Sequence, residues 1–428
     1  MRQPALATPF APVGTARTAG AAWKAATALA LATLFALAAM TPVVAHAVPR
    51  VPAADGEVVE TLPAVAGWSG EQRRLRRELA QRPNDEATAI AAATTYLDMA
   101  REQGDARYAG YAMGALQAWE ATPTAQTPPG VLVMRATVAQ FLHDFDGAEA
   151  TLKAALARRP NDAQAWITLA TILRVRGRYN ESDAACRSLG RVGPTFYGVA
   201  CLAENAGLRG HHADARDALQ ALLADPALRD SGQAGTRQWL LTSVAEVEEL
   251  AGRPAEADAA YRKAVAAQRS GYLLLAYSDY LQRAGRHAEI PALLAREARS
   301  DAVLLRLAIA AAAATPSPTS PTSTTPAQNK PAQADADELR QRFEAAALRP
   351  GTTALHAREE AMFALDVQND PKRALELARL NVKLQREPID LLVFARAATA
   401  ANDPAARGEV KALMQQIGLK DARVDATP

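Results

Sequence analysis

Two cysteines, six histidines and an aromatic content of 5% leave this 428-residue chain little material for metal or thiol chemistry. Once the first 47 residues are set aside, the histidines are His143, His211, His212, His287 and His356. His211 and His212 are adjacent in an expected turn, and no cysteine or carboxylate beside them completes a metal-ligand spacing. Asp144 and Asp146 share a short turn but lack the rest of a calcium loop. Gly190, Gly193 and Gly198 have no strand before them and the wrong spacing for a dinucleotide fingerprint, and there is no Walker sequence or nucleophile elbow. Alternation with period two is missing over any useful length, which excludes a sheet-based fold. The reading is therefore an all-α chain with no enzyme, metal or cofactor site.

Acidic residues are also missing from the first 47 positions, where Arg2, Arg17 and Lys24 precede an uncharged run from Ala25 to Met40. That run is too short for a comfortable transmembrane helix, and Ala45-His46-Ala47 offers the small residues a signal peptidase accepts. Residues 1–47 are expected to be a cleaved leader, with retention as a membrane anchor the competing reading. The leader carries three basic and no acidic residues, leaving 45 basic against 46 acidic. A balanced chain has no large positive field for phosphate backbones, so no nucleic-acid partner is expected. Beyond the leader no stretch is long and apolar enough to span a bilayer, and the run from Leu307 to Ala314 is far too short. The expected location is the periplasm or the cell envelope.

An even cysteine count in an exported chain permits one disulfide, here between Cys186 and Cys201. The preferred reading is instead a pair of buried thiols acting as small apolar side chains, with the bond as the alternative.

What the chain has in quantity is repetition. With 49% apolar and 22% charged residues it is too apolar for wholesale disorder. Trp166, Leu169, Ala170 and Leu173 fall at i, i+3, i+4 and i+7 and share one helical face. Gly177 breaks that helix, and Tyr179, Ser182, Cys186 and Leu189 define a second that ends before Pro194. Pro160 stands 34 residues before Pro194, and the intervals Gly177 to Gly210 and Gly252 to Gly285 are both 33. Between Gly210 and Gly252 the interval is 42, which places an insertion of about nine residues around Pro226 to Gly235. Helices this short cannot bury their apolar stripes alone, so each pair must stack on its neighbours.

Trp166, Leu169, Ala170, Gly177, Tyr179 and Pro194, with Ala148, Ala215 and Ala257 early in second helices, resemble the tetratricopeptide repeat (TPR). Ala136, Ala170, Ala203, Ala245 and Ser278 stand where that repeat usually has glycine, and Ser182 and Ile290 replace its alanine. The expected organisation is a mature N-terminus disordered over 48–70, degenerate helical repeats over 71–128 and a core array over 129–300. A helical pair over 301–350 is interrupted by a Pro/Thr/Ser-rich loop at 315–334, and repeat-like helices follow over 351–420.

The resemblance implies an α-α superhelix whose first helices line a concave groove that receives a segment of another protein. Carried onto this chain, the groove residues are Ile167, Thr171 and Arg174, then Tyr197 and Glu204, then Trp239, Thr242, Glu246 and Glu249, then Tyr272, Leu275, Asp279 and Arg283. Aromatic and acidic groups together suit an extended protein or peptide ligand of basic character. The paired basic residues and asparagines with which some members bind chaperone tails are missing, since Ile167 and Thr171, Thr242 and Glu246, and Leu275 and Asp279 occupy those places. The expected function is a non-enzymatic exported scaffold or adaptor in an envelope-associated complex. The alternative is a membrane-attached accessory subunit of a surface-polymer, secretion or transport assembly.

Overall fold

Short amphipathic helices separated by left-handed turns build the chain, as the punctuation predicts. The computed structural model describes residues 70–314, 330–348 and 352–427. The expected leader, and residues 48–69 of the expected mature N-terminus, lie outside the described residues. Among the described residues every regular element is helical. A lead helix α1 (Gly70–Gln81) precedes α2 (Glu86–Gln103) with α3 (Arg107–Ala115), α4 (Pro129–Phe141) with α5 (Phe145–Arg158), and α6 (Ala163–Val175) with α7 (Tyr179–Val192). Next come α8 (Thr195–Leu208) with α9 (His212–Leu223), α10 (Ala234–Leu250) with α11 (Pro254–Ala267), and α12 (Gly271–Arg283) with α13 (Ile290–Leu294). The pairs α14 (Asp301–Ala314) with α15 (Lys330–Ala347), α17 (Ala357–Asp366) with α18 (Pro371–Leu384), and α19 (Pro388–Ala400) with α20 (Pro404–Ile417) complete the array, with single turns α16 (Thr352–Leu355) and α21 (Ala422–Asp425).

Each described turn inside a pair carries one residue at positive φ: Gly104, His143, Gly177, Gly210, Gly252, Gly285, Asn369 and Asn402. A left-handed residue stops a helix and redirects the chain. Aspartates then cap many of the helices that follow, as Asp144 does for α5 by accepting from the Gly147 amide at 3.0 Å and Asp162 for α6 from Ala165 at 3.0 Å. The small positions are where helices touch: Ala136, Ala170, Ala203, Ala245 and Ser278 are all buried, as are Ala148, Ala215, Ala257, Ser182 and Ile290. First helices pack on the next first helix from α2 to α10, and again from α12 through α14 and α17 to α19. The result is an all-α, repeat-packed helical solenoid.

Three expectations need correction. Helix α15 starts at Lys330, so the last five positions of the predicted loop 315–334 are helical, and 315–329 lie outside the described residues. Cys186 on α7 and Cys201 on α8 form a disulfide across 5.6 Å between Cα atoms, tying one pair to the next in place of two free thiols. The repeat-like C-terminal helices do more than extend the array, because they fold back on its turn edge.

That edge is met at successive turns. The Arg386 amide donates to the Val175 carbonyl at 2.7 Å and the Lys420 amide to the Leu208 carbonyl at 2.9 Å. Gln282 donates to Asp366 at 3.0 Å. Tyr179, Leu208 and Leu250 join one core with residues of α14 to α21. Gly177 and Gly210 are needed twice over, since their φ values of 73° and 92° are left-handed and a Cβ would meet Ile417 and Lys420 at 2.9 Å.

Candidate functional site: the shared face of the first helices

The first helices bring most of the expected groove residues onto one continuous face, where they bond chiefly to one another. Arg174 on α6 forms an ion pair with Glu204 on α8. The other oxygen of Glu204 accepts from the Trp239 indole at 3.0 Å and the Ser243 hydroxyl at 2.7 Å, both on α10. One carboxylate therefore joins three consecutive first helices. Further along, the Tyr272 hydroxyl on α12 donates to Glu246 on α10. Glu249, a turn beyond, accepts from Tyr261 at 2.7 Å, and it pairs with Arg283 and, at 3.0 Å, with Arg423 of α21. Asp279 on α12 takes Arg306 of α14 in a two-pronged pair at 2.9 and 2.7 Å.

Not every expected contact residue is open to a partner. Thr242, Glu249 and Asp279 are buried, because the Gln238 side chain, the C-terminal tail and Arg306 cover them. Their polar groups are satisfied inside the fold, so they hold the array together instead of facing a ligand. Thr171 is half-buried and returns its hydroxyl to the Ile167 carbonyl at 3.0 Å, while Ile167 and Leu275 are half-buried. Of the expected residues Tyr272 is exposed, while Tyr197 and Trp239 are half-buried. Tyr197 stacks on Trp239 with centroids 6.0 Å apart, Phe196 meets both rings edge-on, and Tyr272 is 64% exposed. The sequence reading missed Phe196, Ser243, Arg306 and Arg423; only Ser243 had a signal, four residues after Trp239 on the same helix face.

Electrostatics separate the two acids of α10. Against the desolvation of its buried site, Arg283 and Arg423 hold Glu249 below the ordinary carboxylate range. Desolvation pushes Glu246 up to about 7; the Tyr272 hydrogen bond opposes that shift, while Glu204, Glu249 and Glu387 reinforce it. The Tyr272 hydroxyl is itself raised, first by Glu246 and then by desolvation. A carboxyl whose folded value lies above its unfolded value binds more protons when folded between the two. Its contribution to stability therefore falls as pH rises from about 4.5 to about 7. Glu246→Gln should remove that slope and leave the protein about 1–2 kcal/mol more stable than wild type at pH 8, after allowing for the half-exposed setting. Urea unfolding at pH 5 and pH 8 checks this, and an unchanged pH slope in the variant would contradict the assignment.

A cavity of about 450 Å³ lies between α12, α14 and the C-terminal helices, lined by Gln282, Arg283, His287, Asp366 and Arg396. Its charges are used in the fold: Arg283 pairs with Glu249, and Asp366 takes both Arg396 and Gln282. Among the described residues no group of three or more His, Cys, Asp or Glu is placed to hold a metal, and no helix is long and apolar enough to cross a membrane. Asp146 pairs with Arg176, and exposed His211 faces Asp214 at 4.0 Å.

Neither a family model nor a curated protein matches the sequence. Among solved structures, a thermophilic TPR protein of Thermus thermophilus is 18% identical over 46% of this chain and 98% of its own, with a TM-score of 0.37. A tetratricopeptide repeat protein of Parabacteroides merdae is 14% identical over 62% of this chain and 90% of its own, with a TM-score of 0.39. Human IFIT1 is 12% identical over 81% of this chain and 87% of its own, with a TM-score of 0.41.

Proposed function

We propose that this chain is an exported tetratricopeptide-type scaffold, without enzymatic activity, whose concave first-helix face binds an extended segment of another protein in an envelope-associated complex. The observation that carries the reading is the aromatic surface of that face: the Tyr197–Trp239 stack and the exposed ring of Tyr272 stand on three different first helices. Aromatic rings supply large contact area at low entropic cost, and here Glu204 and Glu246 fix Trp239 and Tyr272 in place. The spacing of the turns and the buried small residues support the repeat assignment. The leader expected over 1–47 and the Cys186–Cys201 bond support an oxidising, extracytoplasmic setting.

The test is affinity capture from envelope extract with the mature protein and with the variant carrying Trp239→Ala and Tyr272→Ala together. The expected result is a partner recovered by the first and reduced at least tenfold, roughly 1.4 kcal/mol or more, by the second, with equal helicity in both. Equal capture by the two proteins would move binding off this face.

A further inference from the structure

The acids of the first-helix face are not equally provided for. Glu204 has Arg174, Asp279 has Arg306, and Glu249 has both Arg283 and Arg423. Glu246 has the Tyr272 hydroxyl. The charged and titratable groups around it are Glu204 and Glu249 from its own face, Glu387 from the α18–α19 junction, Tyr261 and Tyr272, and Arg174, whose guanidinium is engaged by Glu204. Each neighbouring acid has its own arginine, Arg174 on Glu204, Arg283 and Arg423 on Glu249 and Arg358 on Glu387, whereas Glu246 has a hydroxyl in that place.

How such a position is filled is visible one turn along the same helix. Glu249 receives Arg423, an arginine 174 residues away that arrives on the short C-terminal tail. The face thus accepts a guanidinium delivered by a segment with no repeat relation to it. At Glu246 the same chemistry is set beside an aromatic ring that is 64% exposed and whose hydroxyl already orients the carboxylate. Trp239 lies seven residues before Glu246 on α10, about 10 Å along the helix axis. Three residues of polyproline-II chain span about 9 Å and return the side chain to the same side.

Resting on the binding reading above, we propose that the partner presents a lysine or arginine side chain to Glu246, three residues along an extended segment from an apolar side chain seated at Tyr197 and Trp239. The ligand cation replaces the missing counter-charge and packs on Tyr272, while the stacked rings take the apolar group. Binding through this position requires an ionised Glu246, so the preference for a cation is present above neutrality and fades as the carboxyl protonates below it.

The experiment uses fluorescein-labelled nonapeptides with a Pro/Ala background, one leucine, and Arg, Gln or Glu three positions to either side, titrated by anisotropy at pH 8. Peptides with Arg are expected to bind at least tenfold tighter than those with Gln. That ratio should fall toward one for Glu246→Gln, and for wild type at pH 5.5, an arm that needs no variant to fold. Peptides that bind with Arg and Gln equivalent, or a preference that survives both Glu246→Gln and pH 5.5, would overturn the cation subsite while leaving the groove reading standing. If no peptide of the set binds wild type, the cation subsite at this spacing falls, and the groove reading stands or falls by the capture experiment.

Discussion

Replacing Arg358 by alanine is expected to destabilise the protein by about 3–5 kcal/mol at pH 8, the usual cost of stranding a buried charge. Arg358 on α17 holds Asp390 at 2.6 and 3.1 Å and Glu387 at 2.5 Å, and the Asp390 side chain has no exposure at all. Asp390 also accepts from Asn381 at 2.6 Å and from the amide of the N-cap Glu387 at 2.7 Å, as the N3 member of the capping box that starts α19. Burial raises its carboxyl above the ordinary range even with the guanidinium in place, and without it the rise is larger. A raised acid loses stability as pH climbs through its window, so the cost of Arg358→Ala should shrink toward pH 5. Adding Asp390→Asn to Arg358→Ala keeps a cap acceptor and removes the stranded charge, so the double variant should recover part of the loss. Denaturant unfolding of the four proteins of this cycle gives the coupling directly. A loss below about 1 kcal/mol at pH 8, or no recovery in the double variant, would show that α17 and α19 are held together by their apolar faces alone.

The helices were legible because their signals are local. Trp166, Leu169, Ala170 and Leu173 declare a face within eight residues, and Gly177 declares its end. Three turns lack the glycine that advertises a stop, since His143, Asn369 and Asn402 adopt the left-handed conformation at φ 62°, 53° and 51°. The aromatics Tyr197, Trp239 and Tyr272 came from position in the repeat and lie together on the first helices. The fate of the acids did not, because a partner's identity is not periodic. Glu249 reads as a free groove acid from sequence and is buried by Arg423, which no spacing rule connects to it. Asp279 is similar, its partner Arg306 lying on the helix whose own pairing is interrupted by 315–329. Long-range closure of the turn edge depends on curvature accumulated over many pairs, a property that no single repeat encodes.

Removing residues 418–428 should destabilise the array by about 4–8 kcal/mol, although the segment makes only one short helix. Leu419 and Val424 are 1% and 7% exposed, and burying two such side chains is worth about 1.5–3 kcal/mol each. The Lys420 amide closes the C-terminal end of α8 at the Leu208 carbonyl, and Ala422 lies against the Gly252 turn. Arg423 neutralises Glu249, which would otherwise depend on Arg283 and Tyr261. The single substitution Arg423→Ala should cost less, about 1–3 kcal/mol, because those two partners remain while buried Asp421 loses its arginine. Repeat arrays melt in parts, so the informative readout is amide exchange at the turn edge alongside denaturant unfolding. Faster exchange is expected around Gly210 and Gly252 in the truncated protein, with the α2 to α5 pairs unchanged and the Gly177 turn, met by Ile417, largely kept. If exchange at those two turns is the same with and without the tail, the tail does not brace the array, and Glu249 returns to the set of acids open to a partner.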